Sequence, residues 1–228
     1  MANDDSKRSS NNLKPALGRG RNRAALAGSR TPAGVAARRA GRNGRPLITV
    51  FGSSRAREGD ELYAQALWMG RLLGQSGFDV ATGGYAGVME AASRGAHEAG
   101  AHVMGITMKS FGETVNPYVL DEVAVGDFYA RLRRLVDRAD GYVVMRGGMG
   151  TLAELTFTWQ KLWLKMLPAR PCVLVGRRWR RVLDSWLEHL IVDRTDYNCL
   201  TIVDSPEQAC AILRAHFGPQ TTASSAGK

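Results

Sequence analysis

Ten consecutive residues, Met145-Arg146-Gly147-Gly148-Met149-Gly150-Thr151-Leu152-Ala153-Glu154, carry the types and spacing that chemistry needs. Gly147, Gly148 and Gly150 let a backbone turn tightly and come close to a ligand. Thr151 places a hydroxyl at an expected helix start, where free N–H groups and the helix dipole favour an anion. Met149 lies inside the turn, and Glu154 follows about one helical turn later, within reach of whatever the loop holds. The pattern predicts a phosphate site with an acid beside it. A second glycine turn, Gly83-Gly84-Tyr85-Ala86-Gly87, stands about sixty residues earlier. Two such turns can hold one phosphate from two sides.

Those turns need strands to enter and helices to leave. Leu47–Phe51 is short, apolar and β-branched, and Gly52-Ser53-Ser54 closes it. Helices are expected over 60–75, 88–99, 127–138, 151–167, 179–193 and 205–216, with strands at 78–82, 101–107, 119–125, 141–145, 172–175 and 200–203. This alternation predicts a Rossmann-like three-layer α/β/α fold on a mainly parallel sheet of about six to seven strands. Ligands of such sheets bind at the carboxyl ends of the strands, where both glycine turns lie.

Several chemistries lack their signatures. Gly148-x-Gly150-x-x-Ala153 matches a relaxed dinucleotide fingerprint, but it falls late in the chain and no acid follows about twenty positions on. A Gly-Lys-Ser/Thr phosphate loop and a Gly-x-Ser-x-Gly elbow are both missing. His97, His102, His189 and His216 have no metal-ligand spacing, and no metal or redox cofactor is expected. Cys172, Cys199 and Cys210 form neither a disulfide framework nor a metal set, which points to a reducing, cytoplasmic setting. No apolar run approaches a membrane span, and no signal-peptide core occurs near the N-terminus.

The formal net charge of +10 is concentrated at one end. Residues 1–45 hold eleven Lys/Arg against two acids, a net +9, with almost no large apolar side chains. Such a segment cannot offset its ordering entropy, so 1–45 is expected to be a disordered basic tail, 46–218 the domain and 219–228 a disordered end. The tail reads as a solvated leader, a weak polyanion-binding arm or a transit peptide that Asp4 and Asp5 disfavour.

Residues 147–154 resemble the PGGxGTxxE motif of the LOG family, the cytokinin riboside 5′-monophosphate phosphoribohydrolases long labelled as lysine decarboxylases. Phe51-Gly52-Ser53-Ser54 resembles the family's first strand-to-helix turn, and Thr82-Gly83-Gly84-x-x-Gly87-Val88-Met89 its GGGxxGLMG turn. Thr158-Trp159-Gln160-x-Leu162 with Arg170-Pro171 is similar to its TWxQL…KP segment. The likeness covers most of 47–216. It departs at Arg146, where the family has proline, around Arg131, where only the arginine of MHERK is kept, at the glycine pair 83–84, and at Glu90. The Gly-Val-Met-Glu-Ala form resembles a sister branch that includes molybdenum-cofactor carrier proteins.

The resemblance implies that Arg131 and Glu154 are a catalytic pair. It further implies a nucleoside 5′-monophosphate ligand held by Gly52, Ser53, Ser54, Gly83, Gly84, Gly87, Glu90 and the 147–151 turn. A homodimer is implied too, and Phe157, Trp159, Leu162, Trp163 and Leu167 on the 151–167 helix are either core or its pairing face. The implied reaction is hydrolysis of AMP or an N6-modified AMP to free base and ribose 5-phosphate. The alternatives are a non-catalytic carrier of a nucleotide or pterin and, through the tail, a nucleic-acid-associated protein. The decarboxylase label finds no pattern for a Schiff-base lysine.

Overall fold

The structure is a computed structural model, and it describes Gly41 and residues 44–218. The expectations for residues 1–45 and 219–228 lie outside the described residues, except at Gly41, Gly44 and Arg45. Arg45 is held in the fold. Its Nε donates to Gly77 O at 2.8 Å and lies 3.5 Å from the buried carboxylate of Asp79.

Seven strands form one sheet: β1 Leu47–Phe51, β2 Asp79–Thr82, β3 Val103–Met108, β4 Asp121–Val125, β5 Gly141–Val144, β6 Cys172–Val175 and β7 Thr201–Val203. Every pairing is parallel, in the order β4-β3-β2-β1-β5-β6-β7. The fold is the expected three-layer α/β/α architecture, at the upper end of the expected strand count. The strand order reverses once, between β1 and β5, which are in register from Ile48↔Gly141 to Phe51↔Val144. The chain therefore leaves adjacent strands in opposite directions there, opening a crevice at the carboxyl edge.

Among the described residues six helices cover the two faces: α1 Glu61–Gln75, α2 Val88–Glu98, α3 Phe128–Asp137, α4 Met149–Trp163, α5 Arg178–His189 and α6 Pro206–Phe217. Side chains alternate across each strand. Ile48, Val50, Val80 and Val143 meet α1, α2 and α6 through Met69, Leu73, Ala92 and Leu213. Leu47, Phe51, Tyr142 and Leu174 meet α3, α4 and α5 through Leu135, Leu155 and Leu183. The central strands are buried on both faces, so they read as near-continuous apolar runs.

Two local differences from the sequence expectation have clear causes. The helix expected to reach Leu167 ends at Trp163. Lys165 takes φ 55°, Met166 N donates to Lys161 O at 2.9 Å and Lys165 N donates to Leu162 O at 3.1 Å. This is a Schellman cap with lysine in the left-handed position. The helix expected to reach Asp193 ends at His189, and a separate 3-10 turn, Arg194–Cys199, follows under a capping box between Asp193 and Asp196.

Candidate active site

Arg131 sits one turn into α3, behind a capped start in which Asp127 Oδ1 accepts from Ala130 N at 2.8 Å. Its guanidinium is fixed by two carbonyls: Nε donates to Ile106 O at 2.9 Å and Nη2 to Gly83 O at 3.0 Å. Tyr85 and Phe111 place their rings 5.4 and 5.6 Å from its Cζ. Only 7% of the residue is exposed. An arginine so deep costs desolvation energy and is kept where its fork is used. Its remaining N–H groups include those on Nη1, which lies 4.0 Å from Glu154 Oε1.

Glu154 is 8% exposed, on the face of α4 that meets the sheet. Burial pushes its carboxyl up to about 7, and nearby Arg131 opposes only part of that rise. At 4.0 Å the two groups attract without sharing a hydrogen bond. An acid that titrates near neutrality can exist in either form during a reaction.

The 147–151 turn leads from β5 into α4. The first intrahelical bond of α4 runs from Leu152 N to Gly148 O, and Gly148 offers no side-chain cap. The N–H groups of Met149, Gly150 and Thr151 thus have no acceptor within the helix. Met149 is 83% exposed at this point, whereas Thr151 is buried with its side chain against Gly147. Beside it runs the turn after β1, where Ser53 N donates to Arg146 O at 3.2 Å. Gly52, Ser53, Ser54, Arg131, Glu154 and the whole 146–151 turn line one cleft of about 1330 Å³. It opens at the carboxyl edge of the sheet, where the strand order reverses.

The second glycine turn plays a different part. Gly83, Gly84 and Gly87 are buried and stand behind the cleft wall. A Cβ on Gly83 would lie 2.0 Å from Arg131 Nη2, so its smallness admits the guanidinium. Gly87 has φ 76°, and a Cβ there would lie 2.4 Å from Ser53 O, which itself accepts from Val88 N at 2.8 Å. The turn therefore shapes the β1 turn and seats Arg131. Glu90 lies off the cleft on α2, where its carboxylate accepts from Tyr63 Oη at 3.3 Å.

The aromatic side chains that line the cleft, Tyr85, Phe111, Phe128, Trp179 and Trp186, were not among the site residues expected from the sequence. Tyr85 is buried in the 83–87 turn and bonded to the end of β3, so its glycine neighbours masked it. Phe111 sits in a segment expected to be a plain loop. Arg146 is exposed and lines the cleft mouth. The aromatic series on α4 divides. Leu162 is buried, Phe157 and Leu167 pack against the core, and Trp159 stacks on Trp186 at 6.1 Å, whereas Trp163 is 52% exposed.

Fold and site define a Rossmann-like α/β protein with an open helix start at the sheet's switch point and a buried Arg–Glu pair beside it. Residues 89–213 match the family model described as "possible lysine decarboxylase", and the chain belongs to that family, the one the sequence resemblance names. The chain is 28% identical over 186 residues to a pyrimidine/purine nucleotide 5′-monophosphate nucleosidase of Escherichia coli strain K12, a match covering 74% of this chain and 40% of that protein. It is 31% identical over 130 residues to a cytokinin riboside 5′-monophosphate phosphoribohydrolase of Arabidopsis thaliana, covering 53% and 58%. The molybdenum cofactor binding protein of Rippkaea orientalis superposes with a TM-score of 0.60 at 27% identity, over 75% of this chain and 97% of that one. The chain thus spans about two-fifths of the nucleosidase's length.

The family's decarboxylase description implies pyridoxal phosphate, which requires a lysine for its Schiff base. Among the described residues no lysine lines the cleft, so the residues present do not fit that cofactor. Among the described residues no cluster of His, Cys, Asp or Glu could hold a metal ion, and no helix is long and apolar enough to cross a membrane.

Proposed function

We propose that residues 46–218 form a hydrolase domain that cleaves the N-glycosidic bond of a nucleoside 5′-monophosphate. AMP or a cytokinin-type N6-modified AMP is the substrate, and free base and ribose 5-phosphate are the products. The observation that carries this reading is the buried Arg131–Glu154 pair set beside the open start of α4. The 5′-phosphate rests on the N–H groups of Met149, Gly150 and Thr151, with Ser53 and Ser54 alongside. The sugar then lies over Glu154. Breaking the bond between C1′ and the base nitrogen builds positive charge on the ribose ring. Ionised Glu154 stabilises that charge and takes the proton of the water that adds to C1′. Arg131 holds the ribose or the departing base, which leaves with its electron pair and is protonated. The names of the two nucleotide-cleaving relatives support this assignment.

The test is incubation of the full chain with AMP and with an N6-modified AMP, reading released base. Release that vanishes in Glu154→Ala supports the hydrolase; binding without release favours a carrier. The carrier reading has one observation of its own, the likeness to the molybdenum cofactor binding protein.

Three further assignments belong to the same reading. The protein is cytoplasmic. It pairs as a homodimer through the end of α4, where Trp163, Leu164 and Met166 are exposed. The 1–45 tail makes a weak, salt-sensitive contact with polyanions, which deletion of 1–44 removes.

A further inference from the structure

The segment between β3 and β4 is a bridge with both feet on one turn. Tyr85 holds its start: the hydroxyl accepts from Met108 N at 2.8 Å and donates to Met108 O at 3.0 Å. Asn116 holds its end: its N–H donates to Gly84 O at 2.8 Å and its Nδ2 donates to Tyr85 O at 3.1 Å. Between these anchors residues 109–114 are all exposed. Phe111 nevertheless turns inward, with its ring 5.8 Å from the Tyr85 ring and 5.6 Å from Arg131 Cζ, and it lines the cleft.

A phenyl ring in this place is 43% exposed beside a buried ion pair. Core packing does not account for it, since the ring joins neither apolar cluster. Arg131 lies over the ring, and the rest of Phe111 is exposed to the cleft beyond β3, while the open start of α4 lies beyond β5. A ligand lying across both needs an anion at one end and a flat aromatic ring at the other.

Resting on the nucleotide reading above, we infer that Phe111 is the residue on which the base stacks, and that the 109–116 bridge holds it there. Ribose 5-phosphate has the same phosphate and sugar but no π-face, so it does not feel the ring. Stacking a base on an aromatic side chain changes binding by about fivefold to more than a hundredfold on truncation to alanine.

Calorimetric binding of AMP and of ribose 5-phosphate to the full chain tests this in wild type, Phe111→Ala and Phe111→Trp. Phe111→Ala is expected to weaken AMP about tenfold or more, to leave ribose 5-phosphate unchanged, and to be rescued by Phe111→Trp. Equal weakening of both ligands overturns the inference, because the ring would then merely shield Arg131. So does unchanged AMP binding in Phe111→Ala. Wild type that binds AMP without releasing base refutes the hydrolase assignment and leaves the stacking comparison intact. Wild type that binds no AMP overturns both.

Discussion

Arg131 Nη1 stands 4.0 Å from Glu154 Oε1, with both side chains largely buried at the cleft wall. The arginine is spent on carbonyls at one side and open at the other; among the described residues the acid has no closer cation. This pairing is loose enough for a substrate group to come between them, and close enough for each to control the charge of the other. On the hydrolase reading, Glu154→Gln keeps the shape and removes the charge. Base release from AMP is expected to fall by about 10²–10⁴, with KM changing little. Steady-state kinetics with purified protein will measure this, and a fall confined to KM would remove Glu154 from the chemical step.

Glu154 also sets a pH dependence. On the hydrolase reading ionised Glu154 is the active form, and burial moves its titration to about 7. The plot of log kcat/KM against pH should therefore rise through the neutral range and level off above it. Glu154→Gln should abolish that limb. A substrate phosphate titrates near 6 and is shared by both enzymes, so a limb that persists in the variant belongs to the ligand.

The same shift acts on stability with the opposite sign. The folded carboxyl holds its proton more tightly than the unfolded one, whose ordinary value is 4.5. The native state is favoured most below 4.5, loses that advantage as pH rises, and stops losing it above about 7. The total is about 3 kcal/mol. Glu154→Gln should accordingly gain on wild type in Tm between pH 5 and pH 8. An equal difference at both pH values would disprove the burial account.

Arg131→Ala leaves a buried carboxylate and two carbonyls, Ile106 O and Gly83 O, without their partner. A loss of about 3–5 kcal/mol is expected, seen as a lower denaturant midpoint. Gly83→Ala reaches the same arginine from behind, since its Cβ would overlap Arg131 Nη2. It should reduce base release as Arg131→Ala does. Full activity in Gly83→Ala would show that the arginine need not sit where it does.

Trp163 and Met166 stand exposed at the Schellman cap of α4. On the proposed pairing through this face, Trp163→Asp is expected to turn a dimer into a monomer in sedimentation velocity at micromolar concentration. A wild-type chain that sediments as a monomer would dismiss the pairing face.

Much of the architecture was legible in residue order because β1 and β6 are short apolar runs and, like β2 and β4, are followed directly by glycine. The 147–154 turn was legible for the same reason, since glycine, threonine and a glutamate one turn later are local signals. What escaped was set by distance. Phe111 and Tyr85 meet only because Tyr85 and Asn116 tie a loop onto the β2 turn, a link no local pattern announces. The split of the α4 aromatics depends on Trp186 and Tyr197, which arrive from later in the chain. The early end of α4 turned on Lys165 adopting a conformation more usual for glycine.

The strand order has a consequence for biosynthesis. The cleft forms where β1 meets β5, and Leu47 N reaches Asp140 Oδ2 across 93 residues of chain. Everything between must be made and folded back before Ser53 finds Arg146. Closing so long a loop is slow compared with forming any helix. A chain still emerging from the ribosome therefore carries the Ser53 turn and Arg131 early, yet has no cleft. On the hydrolase reading, nucleotide capture should switch on abruptly when the β5–α4 segment docks, and truncations that stop before Gly141 should bind none.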